Sequence, residues 1–125
     1  MKPALSWLEG DFTIHRLEPD AALPAALLAE ATCWIARTAE ELSIVCPAAL
    51  DIDGSQRSEG WSCLKVAGPL DHGLTGILAG IAATLAAAEV PIFALSTFDT
   101  DYVLVPTEQL QVAATALQGA GSPLR

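Results

Sequence analysis

Residues 74–89 limit what this chain can fold into more than any other stretch. They contain no proline and no charge before Glu89. Leu74, Ile77, Leu78, Ile81 and Leu85 recur at helical spacing, with alanine and glycine between them. Pro91 ends the run, because it cannot donate to a helix and biases the residue before it toward extended backbone. Before the helix, residues 61–67 (WSCLKVA) are short and mostly apolar and end at Gly68-Pro69, as a strand would. After it, residues 92–98 (IFALSTF) and 101–106 (DYVLVP) are two β-rich runs around a polar bend at Asp99-Thr100, which predicts a hairpin. A second amphipathic helix is expected over residues 108–117.

Strand, helix, strand, strand, helix is most of a ferredoxin-like split βαβ arrangement, with a right-handed crossover. The same order is expected earlier. Residues 12–18 alternate as a half-buried strand, with Phe12 and Ile14 on one face and Thr13 and His15 on the other. A short helix is expected over 23–30, then strands over 32–37 and 42–46 about a polar turn. The expected fold class is therefore α+β: tandem ferredoxin-like βαββαβ units, antiparallel sheets with helices on one face. The expected boundaries are an abbreviated unit over 1–55 and a full one over 56–125. Residues 1–10 are expected to be a partly ordered lead-in, and 48–60, polar and centred on Gly54 and Ser55, an exposed junction. The second unit lacks its last strand. Residues 12–17 or 42–46 are expected to supply that edge.

At 52% apolar and 17% charged, the chain has the composition of a folded domain. Its net charge of −9 argues against a nucleic-acid backbone or an anionic membrane as partner. Cys33, Cys46 and Cys63 are odd in number, widely spaced and set in apolar runs, which predicts buried free thiols and a reducing, cytoplasmic setting. The first residues carry no signal-peptide pattern, and residues 74–90 are too short and too rich in small residues to predict a membrane span. A helix with so little polar surface is expected to bury both sides, in a homodimer or against the N-terminal half.

Two segments carry the polar groups a ligand would use. The loop over 68–75 brings glycines and the free amides of a helix start, which suit a carboxylate. Read blandly, Gly68-Pro69 is a turn and Asp71 caps the helix. The run from Ser96 to Asp101 gathers two carboxylates, three hydroxyls and a phenyl ring, and an ammonium group needs such acceptors. Read blandly, it is a solvated hairpin turn. His72 with Ser96 and Asp99 or Asp101 could form a catalytic triad, but no nucleophile elbow precedes the serine. Asp71, His72, Asp99 and Asp101 could ligate a metal, but match no known spacing. No P-loop, dinucleotide fingerprint or HExxH occurs. No catalytic residue, metal or cofactor is expected. Trp7, Trp34 and Trp61 are expected in the core or an interface.

The GxxxxGxTGI run over 68–77, the V-P-I over 90–92 and the S-T-F-x-T-D over 96–101 resemble the ACT domain, a small amino-acid-binding regulatory module. The variant most resembled is the tandem ACT type of the arginine-sensing CASTOR proteins and of small bacterial relatives. The resemblance implies an allosteric sensor, a homodimer and no enzyme activity. It implies a ligand site at Leu70, Asp71, His72, Gly73, Leu74, Thr75, Gly76 and Ile77, with Ser96, Thr97, Phe98 and Asp101. It also implies that residues 38–43 help to close that site. The rival reading is an assembly module that dimerises and binds nothing small.

Overall fold

A computed structural model describes residues 2–69 and 75–125. The strands are β1 (Leu5–Trp7), β2 (Phe12–Leu17), β3 (Trp34–Arg37), β4 (Leu42–Pro47), β5 (Gln56–Val66), β6 (Phe93–Ser96) and β7 (Asp101–Pro106). The helices are α1 (Ile77–Ala87) and α2 (Leu110–Gly119), with 3₁₀ turns at Ala25–Ala29 and Thr107–Gln109. All strand pairs are antiparallel where their register is defined. The fold is α+β and ferredoxin-like, as the residue pattern predicts.

The chain forms two compact units. Met1–Glu9 and Trp61–Arg125 make the main unit, and Gly10–Gly60 is inserted between its two pieces. This division differs from the expected 1–55 and 56–125, because the first residues join the later unit. They are no loose lead-in: β1 pairs with the end of β5, Leu5 opposite Val66 and Trp7 opposite Leu64, and Leu5 is 1% exposed.

In the main unit β7 lies between β5 and β6 and is antiparallel to both. The two strands joined through α1 are therefore parallel to each other with one strand between them, which is the split βαβ arrangement. Leu64 and Val66 of β5 and Val103 and Val105 of β7 alternate onto one face, where they pack with Ile81 and Leu85 of α1 and Ala113 and Leu117 of α2. Along residues 64–66 the edge of β5 that seemed to lack a strand is filled by β1. The chain end lies alongside it, with Leu5 N–H donating to Pro123 O (2.8 Å) and Arg125 N–H to Leu5 O (3.0 Å).

α1 buries Ile81 and Leu85 but leaves Ala79, Gly80, Ala83, Ala86 and Ala87 exposed in the single chain. All-round burial is therefore not seen here. Ile81 and Leu85, with Ile77 and Leu78 packed beside them, seat the helix through one face.

The inserted unit repeats the order: β4 lies between β2 and β3. Its crossover holds only the 3₁₀ turn, so Leu27 covers Leu42, Ile44, Cys46 and Ile52 where a helix would stand. Residues 56–60 are strand, not junction. All five are exposed, which is why their polar sequence reads as a loop.

Candidate functional site

The site is built at the end of the main unit where β5 finishes and β6 turns into β7. Ser96 and Asp101 are the last register pair of that hairpin, and the Ser96 hydroxyl donates to Asp101 Oδ1 at 2.6 Å. Inside the bend, Thr97 N–H and Thr97 Oγ1 donate to Thr100 O (2.8 and 3.1 Å), and Thr100 N–H donates to Thr97 Oγ1 (3.3 Å). Phe98 stands at the tip, 83% exposed. Thr100, by contrast, is 4% exposed, and its hydroxyl donates to Val66 O at 2.7 Å.

That last bond ties the bend to the end of β5, and Gly68 permits it. A Cβ there would lie 2.9 Å from Thr100 Cβ and 3.1 Å from Asp99 O, closer than real side chains approach. The loop leading toward α1 thus starts directly on the 97–100 bend. Asp101 already accepts from Ser96, and its other lone pairs remain able to accept an ammonium.

Past the loop, Gly76 opens α1 in the left-handed region (φ +83°), offers no side chain of its own as a cap, and is followed by no acid in the first turn. The amides of Ile77, Leu78 and Ala79 have no partner within the helix, and they carry its partial positive charge. Thr75, Gly76 and Ile77 line a cleft of about 160 Å³ together with Ile81 and Leu117; Ser96, Thr97, Phe98 and Asp101 are not among its walls. The structure therefore unites the 96–101 bend with Gly68, and Thr75–Ile77 with the α1–α2 groove. Leu70, Asp71, His72, Gly73 and Leu74, and with them the Asp71 cap and the His72 triad and metal readings, lie outside the described residues. Among the described residues no three His, Cys, Asp or Glu side chains gather as a metal site.

A family model for the ACT domain matches residues 56–119, which is half of the chain. The chain belongs to the ACT domain family.

Its ACT architecture is shared across its full length by the crystal structure of protein Atu0741 from Agobacterium tumefaciens. The TM-score is 0.92 at 35% identity, covering 100% of this chain and 93% of that one. A 65-residue stretch is 37% identical to the cytosolic arginine sensor for mTORC1 subunit 1 of Rattus norvegicus. It spans 51% of this chain and 20% of that relative, so the chain corresponds to a fraction of the sensor. The ligand-free regulatory subunit of aspartate kinase from Thermus thermophilus has the same fold, with a TM-score of 0.67 at 13% identity over 98% of this chain and 100% of that one.

In the inserted unit of this ACT protein, polar groups are used internally. His15, on the strand expected to be half-buried, is 1% exposed. Its strand is turned so that Thr13, His15 and Leu17 stand opposite Cys46, Ile44 and Leu42, toward the small core. His15 Nδ1 meets Ser55 Oγ at 2.8 Å. Ser55 Oγ donates to Ile52 O and accepts from Arg57, which leaves it an acceptor for Nδ1–H. Nε2 is then a buried nitrogen without a hydrogen-bond partner among the described residues. Burial, and next the Arg57 charge, hold the imidazole pKa below its ordinary value, against smaller opposing effects of Asp51 and Glu59.

All three cysteines are free. Cys46 and Cys63 are fully buried, and burial pushes their thiols up to about 11 and about 12; Cys33 is only half-buried.

Proposed function

We propose that this chain is a non-catalytic regulatory ACT protein that binds a small amino acid at the loop-bearing end of its main unit. The ligand carboxylate lies on the open amides at the start of α1, and the ammonium lies toward Asp101 and neighbouring carbonyls. The observation that carries this reading is the Thr100–Val66 bond over Gly68, which brings the acidic bend onto the loop that leads into α1. The arginine-sensing name of one relative and the regulatory role named for another support the ligand class. We place the protein in the cytoplasm on the same grounds and on its free cysteines.

The test is a thermal-shift panel of the common amino acids on the full chain. One of them raises the unfolding temperature of the wild type, and Asp101→Asn loses most of that rise. At a ligand concentration of 100 times Kd the gain is about 2.7 kcal/mol. A panel with no response, or an unchanged response in Asp101→Asn, contradicts the assignment.

A second reading is assembly. The exposed row of Ala79, Gly80, Ala83 and Ala86 on α1, with Val112 of α2 at 48% exposed, leaves an apolar helical surface that suits a second copy of the chain. Light scattering showing a dimer that Ala83→Arg converts to monomer supports it; a wild-type monomer at all concentrations rejects it.

A further inference from the structure

We infer that Cys33 and Cys46 of the inserted unit are a thiol pair that closes into a disulfide, which makes this unit an oxidation site. The inference uses nothing in the main unit and stands apart from amino-acid binding.

The pair is set by register. Trp34 of β3 faces Val45 of β4, and Arg37 faces Leu42. One position past Trp34, the same register sets Cys33 opposite Cys46. Thr38 N–H donates to Glu41 O (2.9 Å), so the hairpin closes on a hydrogen-bonded pair. Hydrogen-bonded and non-hydrogen-bonded pairs alternate along an antiparallel ladder. Followed back from Thr38, the alternation puts Cys33 and Cys46 on a non-hydrogen-bonded pair, where Cα atoms stand about 4.5 Å apart and side chains come closest. A disulfide spans Cα separations of about 4.4–6.8 Å.

Both thiols also lie on one face. Cys46 belongs to the small core with Leu27, Leu42 and Ile44, and Cys33 packs against that cluster. Trp34 turns the other way and meets the ring of Phe12, with centroids 6.1 Å apart. Cys33 Sγ makes a long contact to Leu27 O (3.9 Å), which resists its turning toward Cys46 only weakly. Cys63, in the main unit, faces Leu104 instead.

Unequal burial orders the chemistry. Cys33 is half-buried and Cys46 fully buried, so a reagent reaches Cys33 first. The co-reactant is a small soluble disulfide. The Cys33 thiolate attacks one of its sulfurs, the S–S bond breaks, and one small thiol leaves. The Cys46 thiolate then attacks the Cys33 sulfur and expels the second small thiol. Two cysteine thiols are oxidised, one small disulfide is reduced, and the two protons end on the two released thiols. Burial, and next the Cys33 thiol, push the Cys46 thiol up to about 11. An incoming thiolate attacking the accessible Cys33 sulfur must therefore expel a poor leaving group, so the bond is slow to open again. In a reducing setting such a bond is transient and reports an oxidising episode.

The experiment treats the folded full chain with oxidised glutathione and reads mass and free thiols. Trypsin cuts after Arg16, Arg37, Arg57 and Lys65, so each cysteine sits in its own fragment. The intact mass falls by two hydrogens, fragments 17–37 and 38–57 are joined, and dithiothreitol separates them. Cys33→Ser and Cys46→Ser each abolish the joined fragment, and Cys63→Ser forms it as the wild type does. Circular dichroism reports whether each variant is folded; if Cys46→Ser is not, Cys33→Ser and Cys63→Ser decide. Glutathione left on Cys33 beside a free Cys46 overturns the inference. So does a native link through Cys63, a bond between the Cys33 residues of two copies, or an unchanged mass.

Discussion

The two units run strand, crossover, strand, strand in the same order, yet they dispose of their polar groups in opposite ways. In the inserted unit the crossover is one 3₁₀ turn, and side chains close the gaps. Arg37 donates to Pro19 O and Ala21 O, Arg57 to Ile52 O and Asp51, and His15 is tied to Ser55. In the main unit the crossover is a full helix that opens on Gly76, which has no side chain to cap it. A helix in the crossover therefore does two things here. It supplies a larger core, and it leaves an end whose first amides have no partner within the helix.

The largest expected effect contrasts the two crossovers. Leu85 of α1 is fully buried in the main cluster, while Leu27 sits on a single 3₁₀ turn that can collapse after truncation. Leu85→Ala should cost about 3–5 kcal/mol and Leu27→Ala about 2–3 kcal/mol, measured by urea unfolding. Equal losses would show that α1 contributes no more than the turn. Next, Gly68→Ala must push the 97–100 bend away from β5. It should destabilise the protein by about 1–3 kcal/mol and broaden the Thr100 amide signal. A neutral effect would mean that the bend is not locked to the loop.

Acid should act on the inserted unit. The pKa of His15 is lowered on folding, so the unfolded chain takes up the proton first. Its contribution to stability is complete above about pH 6.5 and is lost as pH falls through that value toward the folded pKa. Between about pH 7.5 and about pH 5.5 the wild type should lose more stability than His15→Leu, measured by denaturant midpoints. Parallel curves would contradict the buried neutral imidazole. The smallest effect is a gain: Gly80→Ala meets open space in mid-helix and should stabilise by about 0.5–1 kcal/mol. A loss would show that the groove is more crowded than it is drawn here.

Much of this architecture was legible in residue patterns. The spacing of Ile77, Ile81 and Leu85 marks α1, and the apolar run before Pro106 marks β7, because both bury one side over several residues. Three features were not legible, for physical reasons. β1 is only three residues long, and its partner lies some sixty positions away, so no local period announces it. Residues 56–60 are strand with every side chain exposed, which removes the alternation that a half-buried strand shows. His15 is buried because Ser55, forty residues on, offers Nδ1 a partner. At the candidate site, the bend over 96–101 and its acids were visible, as was the glycine-bearing loop. The role of Thr100 as the tie to Val66 was not, since a threonine in a turn reads as solvated.

The account rests on the open end of the main unit being a binding end, and amide shifts during titration with the amino acid that most raises the unfolding temperature test it most directly. Shifts clustered at Gly68, Gly76 and Asp101, with the signals of His15 and Ser55 unmoved, are the predicted result. Shifts that cluster in the inserted unit, or no saturable shift with any amino acid, would contradict it.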